Sequence, residues 1–350
     1  QGTIAAELID QLNEHPDYVF IPVGGGGLLA GMSVYLKSVC PKTKIIAVEA
    51  EDSACFNLAY KKGKPTSLSH VGIFADGVAV KKIGSKTFKL TKSIVDSSIT
   101  ATTDEICSAI KDIYEETRVI AEPAGALSLA GARKYILSNK IKGKNIATIL
   151  CGANMNFDRL RHVAERADIG ESTEIILGVT IAEKPGSFKK FCSIIGKRAI
   201  TEFNYRFSDN KDAQVFVGIK TTKGLDEKKE IIKKLKSNGY KCHDMSSNEM
   251  AKLHVRYMVG GICNEINDER IYRFMFPEKP GELLKFLNNI GSRWNISLFH
   301  YRNHGADFGR VLIGLQAQET ELGSLEKHFK KLNYKFYNES QNSAYKQFLK

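Results

Sequence analysis

The sequence predicts an α/β protein in two parts: a parallel sheet covered by helices, then two copies of a βαββαβ unit. Three observations carry this. Up to about residue 165, apolar strand-like runs alternate with amphipathic helical stretches, the pattern of a parallel sheet buried on both faces. Four successive glycines, Gly24, Gly25, Gly26 and Gly27, stand between the first such strand and a helix. Beyond residue 170, the run ILGVTIAEKPGSFKKFCSIIG at 176–196 recurs as IYRFMFPEKPGELLKFLNNIG at 271–291, and an internal repeat of this kind marks a duplicated domain.

Taken in order, residues 18–23 read as a strand that runs into the glycines, and 28–39 as a helix. Residues 44–49 form a second strand and 53–62 a helix. Residues 103–116 are helical, with Thr102 or Thr103 as N-cap and Asp104 and Glu105 in the first turn, where acids suit the helix dipole. A further helix covers 124–137, and 145–151 is a strand of buried type. A polar stretch at 167–173, with Gly170, marks a boundary. In the repeat, Glu183 to Gly186 and Glu278 to Gly281 both read Glu-Lys-Pro-Gly, and Phe203-Asn204-Tyr205-Arg206 matches Phe299-His300-Tyr301-Arg302. Each copy reads strand, Pro-Gly turn into helix, strand, strand, helix, strand, which is the ferredoxin-like order. Three domains are expected, at 1–167, 173–248 and 268–350.

Composition bounds the function. The chain has 350 residues, 43% apolar and 26% charged, as in soluble globular proteins. No apolar run is long enough to cross a bilayer. It starts at Gln1, without methionine, in a helical pattern, so upstream sequence is expected, with room for a targeting segment. Seven cysteines, without a C-x-x-C pair, argue against a disulfide framework or a zinc site and for a reducing compartment. The net charge of +12 is dispersed. Its densest run, 228–236, places apolar residues at helical spacing between lysines, which is a solvated helix face rather than a nucleic-acid surface.

The glycine run is the strongest chemical signal. Glycine lets a backbone approach an anion, and a helix N-terminus supplies oriented N–H groups, so a phosphate ligand follows. The run also fits a dinucleotide fingerprint, with Glu49 ending the next strand near the spacing of a ribose contact. From these residues alone an NAD-binding reading stays open. Cys151, before Gly152-Ala153-Asn154 at a strand end, is either a small buried residue or a group facing the ligand crevice. Glu122, in Ala121-Glu122-Pro123-Ala124-Gly125-Ala126, is either a helix-start acid or a carboxylate aimed into the cleft.

Together, and in this order, Gly24 to Leu28, Ala47-Val48-Glu49-Ala50, Phe74-Ala75-Asp76-Gly77-Val78-Ala79-Val80, Ala121 to Ala126 and Cys151 to Asn154 resemble the biosynthetic threonine dehydratases, and the repeated half resembles their paired ACT-like regulatory domains. The resemblance spans nearly the whole chain. It implies a fold-type II, tryptophan-synthase-β-like catalytic domain that uses pyridoxal 5'-phosphate, with two ACT-like domains after it. The implied reaction is deamination of L-threonine, and of L-serine more slowly, to 2-oxobutanoate and ammonia in the threonine case. That is the first step of isoleucine synthesis. Isoleucine would inhibit and valine oppose it, in a cytoplasmic homotetramer that needs no metal and binds neither membrane nor nucleic acid.

The resemblance also implies roles. Gly24, Gly25, Gly26, Gly27 and Leu28 would hold the cofactor phosphate through backbone N–H groups. Cys151 would face the pyridine nitrogen as a neutral partner, Gly77 would lie beside the ring and Glu122 near its polar edge. Tyr205 and Tyr301, which from pattern alone read as sheet aromatics, would contact effector, with Arg198 and Leu283 near the same pocket.

The family's cofactor-holding lysine lies in a Ser-Phe-Lys-x-Arg-Gly-Ala type motif upstream of the glycine loop, and nothing in this chain matches it. Ser187-Phe188-Lys189 falls in the first repeat's helix, and Thr87-Phe88-Lys89 lacks the continuation. That lysine holds the cofactor and removes the Cα proton. No catalytic residue is therefore assigned, and the chain by itself is expected not to turn over. Two readings of other classes stand beside this one: an isolated amino-acid-binding regulatory fragment, and an NAD-linked amino-acid enzyme with similar regulation.

Overall fold

The computed structural model describes the chain except at residues 171–172, 208–211, 259, 261–262, 264, 278–280, 291–292, 303–307, 333 and 350. Residues Glu278, Lys279 and Pro280 of the second Glu-Lys-Pro-Gly, and Gly291, lie outside the described residues. The chain forms two compact units, Gln1–Glu171 and Ser172–Lys350.

In the first unit the order is α1 (Gly2–Gln11), β1 (Tyr18–Pro22), α2 (Gly27–Val39), β2 (Lys44–Ala50), α3 (Cys55–Lys62), α4 (Ser85–Thr91), β3 (Ser97–Ala101), α5 (Thr103–Thr117), α6 (Pro123–Asn139), β4 (Ile146–Thr148) and α7 (Phe157–Gly170). The four strands lie in the order β3-β2-β1-β4, all parallel. Successive strand residues face opposite layers. Val19, Ile21, Ile45 and Ala47 pack with Leu29, Met32, Phe56 and Phe88 from α2, α3 and α4. Phe20, Ile46 and Val48 pack with Ile106, Ile110, Leu127 and Ala130 from α5 and α6. The continuous apolar runs of β1 and β2 are what burial on both faces requires.

Local signals explain the helix starts. Thr102 accepts from the Glu105 N–H at 3.2 Å, while the Glu105 carboxylate accepts from the Thr102 N–H at 2.7 Å, a reciprocal capping box. Pro123 opens α6, where its missing N–H costs nothing. One expectation needs correction. The last strand is short, 146–148 rather than 145–151; the Ile149 carbonyl instead takes a hydrogen bond from the Ser128 hydroxyl at 2.7 Å. The units divide within the polar stretch at 167–173, just after α7, which runs to Gly170; Arg166 bonds Asp104 at 2.5 Å and Asp168 pairs with Lys111 at 3.0 Å, fixing α7 along α5.

The second unit repeats one arrangement: β5 (Glu174–Ala182), α8 (Ser187–Ile195), β6 (Ile200–Arg206), β7 (Asp212–Lys220), α9 (Gly224–Ser237) and β8 (Lys241–Asp244). A short helix, α10 (Glu249–Leu253), leads to β9 (Glu269–Pro277), α11 (Glu282–Ile290), β10 (Asn295–Arg302), β11 (Phe308–Gln316), α12 (Leu322–Lys331), β12 (Lys335–Asn338) and α13 (Ser343–Phe348). The two βαββαβ copies fuse into a single eight-stranded sheet, ordered β12-β9-β11-β10-β6-β7-β5-β8. The junction is antiparallel, with Tyr205 opposite Phe299, Asn204 opposite His300 and Phe203 opposite Tyr301. The strand order reads as a palindrome of the two copies, so a pseudo-two-fold axis passes through the Asn204–His300 pair. Rings cross it: Phe203 and Phe299 are 5.3 Å apart, edge to face. The lysine-rich run lies on α9, which buries Ile231 and Leu235.

Candidate functional site

In the first unit the site gathers at the carboxyl ends of the parallel strands, where open α/β sheets bind ligands. β1 is followed by Val23, whose N–H bonds the Val48 carbonyl at 2.9 Å, and then by the glycines. Gly26 has φ +86°, left-handed backbone that favours glycine. A Cβ at Gly25 would meet nothing within 4 Å. The N–H groups of Gly25, Gly26 and Gly27 donate to no acceptor among the described residues. An exposed glycine, open space beside it and three unspent donors at the head of a 13-residue helix, α2, make an anion cradle.

From the loop a continuous wall runs through the other candidate residues. A Cβ at Gly24 would lie 3.2 Å from the Val78 Cα, and one at Gly77 would lie 2.9 Å from the Ala124 Cβ and 3.3 Å from the Glu122 carboxylate. A Cβ at Gly152 would lie 2.3 Å from the same carboxylate. Glu122 is the residue before α6, yet its side chain makes no cap bond. It accepts instead from the Asn154 N–H at 3.0 Å, while its own N–H bonds the Gly152 carbonyl at 3.1 Å. Of the two readings of Glu122, the geometry is that of a carboxylate turned toward the strand ends. Cys151 follows β4 outside the strand, with its Sγ 3.7 Å from the Ala124 carbonyl. Burial, then the charge of Glu122, pushes its thiol up, so it stays protonated. A neutral thiol that can donate or accept suits a pyridine nitrogen. The residues present therefore fit a phosphorylated pyridine, with Gly24 to Leu28 at one end and Cys151 at the other.

Glu49 does not fit a ribose contact. It is fully buried, and its carboxylate accepts from the N–H groups of Phe56 at 2.6 Å and Asn57 at 2.7 Å in the first turn of α3. Burial raises its pKa to about 7, against the pull of those two bonds and of one from the Cys55 thiol. No group of three or more His, Cys, Asp or Glu side chains placed to hold a metal occurs among the described residues. The two Phe-Lys decoys sit away from any such role: Phe188 is in the core of the second unit, and Phe88 packs under the sheet of the first.

In the second unit, Arg198, Leu283 and Tyr301 line one small cleft between the copies, together with Cys192, Ile200 and Gly281. Tyr205 is not in that cleft. It is buried at the pseudo-symmetric position, its ring 4.8 Å from Phe188, its hydroxyl bonded to Glu183. Burial, then Glu183, raises its pKa. A second cleft beside it is lined by Lys184, Gly186, Phe188, Leu287, Trp294 and Asn295. Glu183 also accepts from Asn295 at 3.1 Å, so one carboxylate links both copies. Arg198 is held by Glu227 at 2.6 Å and by the Ile195 carbonyl at 2.7 Å. The Arg198 hydrogen bond pulls the Glu227 pKa down to about 2. Glu183, Asn295 and Trp294 were not singled out from sequence. The repeated Glu-Lys-Pro-Gly was the available signal for the first; the other two gain their position only when the copies pair.

Both units are similar to known proteins. Residues 1–152 match the family described as pyridoxal-phosphate dependent enzyme. Residues 165–255 and 261–349 each match the C-terminal regulatory domain of threonine dehydratase. The whole chain aligns with the L-threonine dehydratase biosynthetic IlvA of Salmonella typhimurium at 53% identity and with that of Escherichia coli at 52%, covering 68% of each. The mitochondrial threonine dehydratase of Saccharomyces cerevisiae is 43% identical, with 63% of it covered. Among solved structures, the processed form of threonine deaminase isoform 2 from Solanum lycopersicum is 45% identical over 47% of this chain and 48% of that one, with a TM-score of 0.47.

Proposed function

Because this chain belongs to the biosynthetic threonine dehydratases, we propose that it forms the phosphate-binding part and the regulatory region of an allosteric ammonia-lyase that converts L-threonine to 2-oxobutanoate and ammonia, and L-serine more slowly. The observation that carries this is the wall from the unspent N–H groups of Gly25, Gly26 and Gly27 to the Cys151 thiol. Pyridoxal phosphate, when bound, withdraws electrons from the amino acid joined to it and so eases loss of the Cα proton and the β-hydroxyl.

The chain's own residues bind and orient. The loop N–H groups hold the phosphate. Cys151 offers the ring nitrogen a neutral partner and so leaves it unprotonated, which favours elimination over the chemistry of aminotransferases. Gly77 leaves room beside the ring, and Glu122, fixed by Asn154, borders its polar edge. The family's lysine, which holds the cofactor and takes the Cα proton, lies in a motif that these residues do not contain, so no catalytic base is assigned among them. An NAD-linked enzyme is not favoured: Glu49 is spent on α3, and both matched families belong to pyridoxal-phosphate chemistry.

In the regulatory region, isoleucine as inhibitor and valine as its antagonist would bind in the clefts between the copies. Tyr301, Arg198 and Leu283 serve one, and Tyr205 with Glu183 stands behind the other. Sites apart from the substrate are what allosteric coupling requires. A cytoplasmic homotetramer completes the proposal; the free cysteines suit a reducing compartment. No helix among the described residues is long and apolar enough to cross a membrane. Release of 2-oxobutanoate from threonine by the full-length enzyme, inhibited by isoleucine, tests it. NAD reduction without keto acid would refute it.

A further inference from the structure

We infer that Thr87 and Cys55 are positioning residues that aim the glycine loop, each by holding one of its carbonyls from behind. The inference rests on the reading of this loop as the phosphate site. In a planar trans peptide the C=O of one residue and the N–H of the next point in opposite directions. Fixing a carbonyl on one side of the loop therefore turns the following N–H to the other.

Each carbonyl of the loop is held in this way. The Gly24 carbonyl takes a hydrogen bond from the Cys55 thiol at 3.5 Å. That turns the Gly25 N–H away from α3. The Gly25 carbonyl takes one from the Thr87 hydroxyl at 2.9 Å and another from the Gly84 N–H at 3.3 Å, which turns the Gly26 N–H away from α4. The Gly26 carbonyl accepts the Ala30 N–H at 2.9 Å, so the Gly27 N–H points out of the helix end. The three N–H groups left unspent are the three that follow a held carbonyl.

The anchors are themselves fixed. Cys55 opens α3, whose first turn is clamped by the buried Glu49 carboxylate. Its thiol is fully buried, and burial, then the charge of Glu49, pushes it up to about 12, so it keeps its one proton, which the Glu49 carboxylate shares with the Gly24 carbonyl. Thr87 sits in α4, with Phe88 behind it in the core. It is the threonine of the Thr87-Phe88-Lys89 run, which carries no lysine chemistry. The competing account is that its hydroxyl only back-bonds the Gly84 carbonyl, also at 2.9 Å. One hydroxyl proton cannot serve both fully.

The test compares pyridoxal phosphate with pyridoxal, which lacks the phosphate. Each is titrated into the full-length enzyme and its variants, with affinity read from cofactor absorbance and folding from thermal melts. Thr87→Val keeps the shape and loses the hydroxyl; the preference for pyridoxal phosphate over pyridoxal should fall roughly tenfold, while pyridoxal binding stays constant. Thr87→Ser should restore it, and Cys55→Ala should lower it on its own. A merely structural role would weaken both ligands alike and leave their ratio unchanged; that result in folded Thr87→Val overturns the inference for Thr87. Should Thr87→Val fail to fold, an unchanged ratio in Cys55→Ala overturns the pair. Gly25→Ala separates the two layers of the argument. If it weakens pyridoxal phosphate binding and Thr87→Val does not, only the positioning role fails. If neither does, the phosphate site lies elsewhere.

Discussion

Gly25→Ala isolates binding from folding at a single methyl group. The added carbon would meet nothing within 4 Å, and the residue is exposed and free of left-handed backbone. The fold should therefore tolerate it, or gain about 0.4–1 kcal/mol from the stiffer unfolded chain. The open space is where the proposed phosphate oxygens approach the loop N–H groups. A methyl group there pushes the anion off at least one charge-assisted hydrogen bond, worth about 1.5–3 kcal/mol. Affinity for pyridoxal phosphate should then drop roughly ten- to a hundred-and-fifty-fold. Cofactor titration and thermal melts on the same preparation give both numbers. Unchanged affinity in a folded variant would refute the cradle; a large loss of melting temperature would refute the claim that the space is empty.

Gly26→Ala should behave in the opposite way: with φ +86° and a Cβ only 2.9 Å from the Ile83 Cδ1 and the Thr87 Oγ1, it loses about 1–2 kcal/mol to backbone strain besides the clash, seen as a lowered urea midpoint. Gly26→Asp adds like charge at the phosphate, and the purified full-length enzyme should carry little cofactor. Tyr205→Phe keeps the ring against Phe188 and removes the bond to Glu183; isoleucine inhibition of the full-length enzyme should weaken about tenfold at unchanged threonine turnover, and normal inhibition would remove this tyrosine from the effector response. Tyr301→Leu should do the same from the other cleft. Glu49, raised from 4.5 to about 7 by burial, contributes stability that is present below pH 4.5 and lost as pH rises through 7, on the order of 3 kcal/mol. Urea melts at pH 4.5 and 8 should show that slope in the parent and not in Glu49→Gln.

Much of this was legible in sequence where a local pattern carried it. The apolar runs of β1 and β2, the four glycines and the duplicated Glu-Lys-Pro-Gly each report a short-range requirement. What escaped depends on partners far along the chain. β3, Ser-Ser-Ile-Thr-Ala at 97–101, has little strand character and exists through its parallel pairing with β2. α7, which was not anticipated, is fixed because Arg166 and Asp168 find α5. In the proposed site, Gly24 to Leu28 stood out because a run of four glycines has few other uses, whereas Cys151 stood out only through the family resemblance. Thr87 was passed over because its hydroxyl gains meaning only when α4 is brought behind the loop. Tyr205 reads as core and is core; its bond to Glu183 has no trace in the spacing.

The antiparallel seam between β6 and β10 makes one polypeptide its own dimer. In an assembly of identical subunits, symmetry forces every mutation to appear in both halves, so paired sites must drift together. Here the two halves are tethered and separately encoded. Their association does not depend on protein concentration, and each cleft has been free to change alone. The divergence is already visible: Phe188 and Trp294 line one cleft where Leu283 and Ala199 stand in the other. Duplication within a chain thus lets evolution tune two ligand preferences on one scaffold, with the shared sheet keeping them in mechanical register.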